Sequence, residues 1–147
     1  MSPLAAVPPP GEAAERRVPA QIGVLGAGTM GSGIAQLAAR VAPTLMYDPL
    51  AQALERGYER ALDGLDREEK KGRLTPERAA EAAGRLRAAG GLEELADCEL
   101  VIEAAPERLE LKHELFAALS EIVAPTCVLA TNTSSLLVTA VATGASN

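Results

Sequence analysis

Apolar and polar positions along this chain follow two periods, and the changes of period divide it into elements. The short run Ile22, Val24, Leu25 has the length of a buried strand, and it enters a glycine-rich turn, Gly26-Ala-Gly-Thr-Met-Gly31, that opens into a helical pattern from Ile34 to Arg40. Pro43 leads into a second strand, Thr44 to Asp48, which Pro49 stops. From Leu50 to Arg87 the chain turns charged, with Leu50, Ala53, Leu54, Tyr58, Ala61, Leu62 and Leu65 recurring every three or four residues, the pattern of an amphipathic helix. Gly72 breaks it. Thr75-Pro76-Glu77 then reads as a helix start, with Thr as cap, Pro at the first position and an acid in the first turn, and predicts a second helix to about Arg87. After Gly90-Gly91, Leu92 to Leu95 predicts a short edge strand, and Leu100-Val-Ile102, leading to Glu103, predicts a buried one. Pro106 precedes a helix with Leu111, Leu115, Leu119 and Ile122 along one face. Cys127 to Ala130 is the last strand; it runs into Thr131-Asn-Thr-Ser-Ser135, and Leu136 to Ala142 begins another helix.

Strands alternating with helices imply an α/β fold of Rossmann type, a doubly wound and mostly parallel sheet. One helix suffices for a crossover, so the pair between Leu50 and Arg87 is an inserted helical hairpin, by its pattern a solvated one. Ligands of such sheets sit at the carboxyl ends of the strands. Asp48, the Glu103 to Glu107 loop and Asn132 to Ser135 all fall at those ends beside the glycine turn, so four loops converge on one crevice.

Composition narrows the partners. Apolar residues make up 48% of the 147 positions but aromatics only 2%, so the core must be built from Ala, Val, Leu and Ile. A net charge of −6 argues against a nucleic-acid or anionic-membrane surface and for small molecules or protein. No run reaches the roughly 18 apolar residues of a membrane helix. Residues 1–20, rich in Pro and Ala without periodicity, read as a disordered leader to a single domain over 21–147. The two cysteines, Cys98 and Cys127, lie in or beside apolar runs and read as free buried thiols of a reducing cytoplasm, with no disulfide and no metal site.

The glycine turn carries the chemistry. Gly26 permits the tight turn off the strand, Gly28 removes a Cβ where backbone must approach a pyrophosphate, and Gly31 lets helix and strand pack closely. The free N–H groups at the helix start, with the positive end of its dipole, form an anion site to which the dipole adds about 0.3–1 kcal/mol. The dinucleotide fingerprint also asks for an acid roughly 20 residues further on. Asp48 supplies it. A carboxylate there disfavours a 2′-phosphate, because two charges about 4 Å apart repel by about 4 kcal/mol at an effective dielectric of about 20. Screening reduces this to a preference for NAD over NADP of about tens- to hundreds-fold.

Four stretches together are more specific than the turn. Gly26-Ala-Gly-Thr-Met-Gly-Ser-Gly-Ile-Ala35, Ala96-Asp-Cys-Glu-Leu-Val-Ile-Glu-Ala104, Leu111-Lys-His-Glu-Leu-Phe116 and Leu129-Ala-Thr-Asn-Thr-Ser-Ser-Leu136 resemble the cofactor domain of NAD-dependent 3-hydroxyacyl-CoA dehydrogenases, above all bacterial short-chain members, over about Gln21 to Ala142. The resemblance implies that Gly26, Gly28, Thr29, Met30, Gly31 and Asp48 hold NAD, with Asp48 on the adenosine ribose. It places Glu107 and Lys112 near the nicotinamide side, and Ser134 with Asn132 at the 3-hydroxyl of an acyl-CoA substrate. It lays the hairpin over coenzyme A, where a family serine and lysine correspond to Gly64 and Lys71 here. In the family a His–Glu pair transfers the proton and a helical dimerising domain follows, both beyond the matched stretch; the resemblance thus implies a fragment truncated before that domain, binding NAD but turning over little substrate, either homo-oligomeric or completed by the missing part. His113, in the Leu111 to Phe116 helix, reads as a surface position outside the crevice. Two other readings stand beside this one: a non-catalytic nucleotide-binding module, and a β-hydroxyacid dehydrogenase, which shares a G-x-G-x-M-G turn. The last strand, lacking further neighbours, predicts self-association.

Overall fold

The computed structural model describes residues 17–134, 136 and 138–144. In chain order they form β1 (Ile22–Leu25), α1 (Thr29–Ala39), β2 (Thr44–Tyr47), α2 (Ala51–Lys70), α3 (Pro76–Arg85), β3 (Leu86–Ala88), a 3-10 helix (Leu92–Asp97), β4 (Leu100–Glu103), α4 (Leu109–Ile122), β5 (Val128–Thr131) and α5 (Val138–Ala142). The five strands make one parallel sheet in the order β3-β2-β1-β4-β5. This is the expected Rossmann-type architecture. β1 lies in the middle and all four of its residues are buried, which is why the run carries no polar side chain.

Alternation along the strands sorts the core into two layers. Val24 and Met46 face α1, α2 and α3, joining Ala27, Ala35, Ala39, Ala61, Leu65 and Leu86. Leu25, Leu45 and Val101 face the other way, onto Leu95, Leu119 and Val123. Small residues let α1 and α2 approach closely, and Gly57 of α2 sits on the glycine turn itself: a Cβ there would lie 2.4 Å from the carbonyl oxygen of Ala27. At the far end of α2, Gly72 adopts φ +70°, and the N–H groups of Gly72 and Arg73 bond back to the carbonyls of Glu69 and Glu68 at 2.8 and 2.9 Å, ending the helix in a Schellman motif. Thr75 caps α3 as expected, accepting from the N–H of Arg78 at 3.3 Å.

Three expectations need correction. The second hairpin helix ends at Arg85 rather than Arg87, and the edge strand is Leu86–Ala88, not Leu92 to Leu95. Leu86 is 2% exposed and pairs with Thr44, while Arg87 and Ala88 are exposed, so a single inward residue among charged ones marks the strand. Leu92 and Leu95, three apart, match one turn of a 3-10 helix, with Leu95 packed over Gly23. On α4 the fully buried residues are Lys112, Phe116 and Leu119, followed by Val123, so the inward face is rotated from Leu111, Leu115 and Ile122, which are only partly buried.

Residues 1–16 of the expected leader lie outside the described residues, as do Ser135, Leu137 and 145–147. The leader's last four residues are anchored: Arg17 pairs with Glu99, and the Ala20 N–H donates to the same carboxylate at 2.8 Å. Among the described residues no helix is long and apolar enough to cross a membrane.

Candidate functional site

The strand order reverses between β1 and β4, and the loops after β1, β2, β4 and β5 open on the same side of the sheet. The glycine turn is fixed from both neighbours. Gly26 donates to Tyr47 O of β2 at 2.8 Å, and Ala104, just past β4, donates to Leu25 O at 2.7 Å. Gly26 has φ +106°, and a Cβ on it would meet the Ala104 carbonyl at 2.7 Å; a Cβ on Gly31 would overlap the Gly26 carbonyl oxygen at 1.9 Å. Gly28, by contrast, is exposed with nothing within 4 Å of its Cβ position. Helix α1 starts there without a side-chain cap and without an acid in its first turn. The first N–H groups of that turn thus have no side-chain cap, the condition an anion such as a pyrophosphate needs at a helix start.

Asp48 is half-buried and ties two elements together. Its Oδ2 accepts from the Ala27 N–H at 2.9 Å and its Oδ1 from the Leu50 N–H at 2.9 Å. The carboxylate thus caps the turn with two of its roughly four acceptor positions, which leaves the others for the ribose expected there. Ser32, buried in the first turn of α1, donates to Gly28 O at 2.6 Å and accepts from Arg60 of α2 at 3.2 Å, another tie between α2 and the turn.

The other half of the crevice rests on a buried ion pair. Lys112 and Glu103 are both 0% exposed. The Lys112 ammonium donates to both Glu103 oxygens at 2.8 and 2.9 Å and to Ala105 O at 3.3 Å, and pairs with Glu107 at 3.1 Å. Glu103 also accepts from the Ala105 N–H and from the Thr131 hydroxyl at 2.6 Å, while Glu107, whose side chain is 37% exposed, accepts from the Thr133 hydroxyl at 2.7 Å. The ammonium of Lys112, expected near the nicotinamide side, is turned into the protein. An ammonium has three protons, and these are directed at four acceptors inside the protein. Lys112 reaches the crevice only through Glu107.

Asn132 and Ser134 are exposed on the loop after β5, where the Asn132 N–H extends the ladder by donating to Glu103 O at 2.7 Å. His113 is half-buried rather than a free surface residue. Its Nε2 contacts Ala140 O and lies 3.3 Å from the Thr143 hydroxyl, tying α4 to α5. In the hairpin, Lys71 is exposed at the end of α2 beside the pairs Lys70–Asp66 and Arg73–Glu68, the first of which raises the Lys70 pKa by hydrogen bonding. Gly64, in contrast, is buried under Gln36, so this position does not present a ligand contact. Burial pushes the Cys98 thiol up to about 11 and raises Cys127, so both remain protonated at neutral pH.

Glu103, Thr131 and Thr133 fall in stretches that the sequence places at the crevice, but the pattern assigns them no individual role. The signal for them was an acid ending an apolar strand and a lysine on the buried stripe of the following helix.

Fold and site together define a dinucleotide-binding domain of Rossmann type. Residues 21–147 match the family model described as 3-hydroxyacyl-CoA dehydrogenase, NAD binding domain, and the chain belongs to that family, with NAD as its cofactor. It is 43% identical over 122 residues to the 3-hydroxyadipyl-CoA dehydrogenase of Escherichia coli strain K12, covering 82% of this chain and 26% of that protein. It is 40% identical over 124 residues to a probable 3-hydroxybutyryl-CoA dehydrogenase of Deinococcus radiodurans, covering 84% and 44%. Among solved structures, M. tuberculosis FadB2 superposes with a TM-score of 0.83 at 37% identity, covering 88% of this chain and 46% of that one. The chain thus spans less than half the length of these relatives.

Proposed function

We propose that residues 21–147 form the NAD-holding part of an oxidoreductase that interconverts 3-hydroxyacyl-CoA and 3-oxoacyl-CoA. When bound, NAD accepts the hydride of the substrate's C3–H bond. The chain's own residues do the holding. The first turn of α1 takes the pyrophosphate, Asp48 the adenosine ribose, and Glu107 the nicotinamide side. Ser134 and Asn132 orient the 3-hydroxyl by hydrogen bonding, and Lys71 sets a positive charge for the phosphates of coenzyme A. The observation that carries this reading is the glycine turn pinned to Asp48 within a match to an NAD-binding family over 21–147.

The hydroxyl proton needs a base with a pKa near neutral, a contribution of about 10²–10⁴ in rate. His113, the chain's one histidine, is tied to Ala140 and Thr143 instead. Its placement favours a second reading of this stretch by itself, a nucleotide-binding module without turnover. In either case we place the protein in the cytoplasm on the strength of its free buried thiols, and read it as a homo-oligomer or as completed by a further helical domain, on the strength of the exposed apolar side chains Leu37, Val41 and Val128.

The purified chain with NADH and acetoacetyl-CoA tests the division of labour. NADH should bind, and reduction should run about 10²–10⁴ below that of whole relatives. Robust reduction by the 147-residue chain would overturn it.

A further inference from the structure

We propose that Glu103 is a positioning residue for the nicotinamide side of the crevice, acting through Lys112 and Glu107 to hold the loops after β4 and β5 in one arrangement. The proposal rests on the crevice being the NAD site. Glu103 is the last residue of β4, next to β1, and lies in register with Thr131, the last residue of β5. It accepts from Ala105, twice from Lys112, and from Thr131, which fills the positions a carboxylate offers. Being 0% exposed and fully engaged, it has nothing left for a ligand. What it does have is reach into two loops.

One branch runs through Lys112 to Glu107, the half-exposed member of the cluster, and so sets where that carboxylate stands. The other runs through Thr131 into the strand end that precedes Asn132 and Ser134. Thr133 closes the circuit between the branches: its hydroxyl donates to Glu107 and accepts from the Leu136 N–H at 3.1 Å. Charge accounting explains why the arrangement is single-valued. Glu103 and Lys112 cancel within the protein, and either one alone would be a buried uncompensated charge, so neither leaves without the other. Glu107 then stands at the rim as the net negative charge, held by a cation that water does not reach.

Glu103→Gln tests this. The amide keeps the shape but turns a donor toward the Lys112 ammonium, so Lys112 shifts its bonds to Glu107 and draws it from the rim. NADH engages the whole crevice, whereas ADP engages only the glycine turn and Asp48. NADH fluorescence titration should show affinity falling about tenfold or more in E103Q, while ADP, measured by competition, stays within about twofold. The double variant Glu103→Leu with Lys112→Met removes both charges at once, keeps the fold, and should show the same selective loss. E103Q combined with Glu107→Gln should bind NADH no worse than E107Q alone, because Glu103 acts through Glu107. Equal losses for NADH and ADP, or no loss of either, in both E103Q and the Leu/Met pair would overturn the positioning role. A wild-type chain that binds neither nucleotide would instead refute the NAD site itself.

Discussion

Gly57→Ala sets two familiar effects against each other, and the structure decides the sign. In an open helical position the exchange stabilises by about 1 kcal/mol, since glycine loses more backbone entropy on folding. At position 57 the added methyl would lie 2.4 Å from the Ala27 carbonyl oxygen, 2.7 Å from its Cβ and 3.1 Å from its carbonyl carbon. None of these is the tip of a flexible side chain. Overpacking of this kind costs about 1–3 kcal/mol, so the propensity gain is cancelled and the net expectation is a loss of about 1 kcal/mol, or about 3–4 °C in Tm. Ala27 belongs to the glycine turn and its N–H binds Asp48, so the displaced backbone should also weaken NADH binding several-fold. Gly84→Ala is the control. That glycine is exposed in α3 with nothing within 4 Å of its Cβ position, and its replacement should stabilise by about 0.5–1 kcal/mol with NADH affinity unchanged. Thermal unfolding followed by circular dichroism suits both, the chain having no tryptophan. If G57A proves as stable as G84A and binds NADH like wild type, α2 is not seated on the glycine turn and the account of the turn's rigidity is wrong.

Cys98 predicts an alkaline effect of definite sign. Its folded pKa of about 11 lies above that of an unfolded thiol near ~8.5, so the unfolded chain releases the proton first. Stability is then insensitive to this group below about pH 8.5 and falls as pH rises toward about 11, and urea unfolding in reductant should show a shallower alkaline decline for Cys98→Ala; identical slopes would contradict the assignment. At the sheet edge, Val128 on β5 is 59% exposed, and wild type should self-associate at high concentration in sedimentation velocity. Val128→Lys should shift it toward monomer. A wild-type chain already monodisperse as a monomer would remove the edge as an association surface.

The parts of the fold legible beforehand were those where one period dominates. β1 is apolar on both faces, α2 is amphipathic over 20 residues, and the Thr75-Pro76 start carries its own cap. β3 was hidden because only Leu86 and Ala89 turn inward among arginines, and three strand residues are too few to show a period. On α4 the leucine spacing points to the side of Leu111, Leu115 and Ile122, whereas the buried face includes Lys112, whose charge is cancelled by an acid nine residues earlier on another element. A pairing across a sheet and a helix is a tertiary fact, and no local pattern carries it. Asp48 was found by its distance from the glycine turn, but that its carboxylate also holds Ala27 and Leu50 follows only from the folded positions of three elements. Gly57 shows the same limit, since its reason for being glycine lies in a carbonyl 30 positions earlier in the chain.

The central claim is that the crevice bounded by the glycine turn and Asp48 holds NAD and discriminates against the 2′-phosphate. Calorimetric titration of the purified chain with NADH and with NADPH, at matched and moderate ionic strength, measures it directly. The account predicts saturable NADH binding at one site and NADPH weaker by about tens- to hundreds-fold, as repulsion at Asp48 requires. Equal dissociation constants would show that the carboxylate does not face the 2′ position, and absence of NADH binding would contradict the account as a whole.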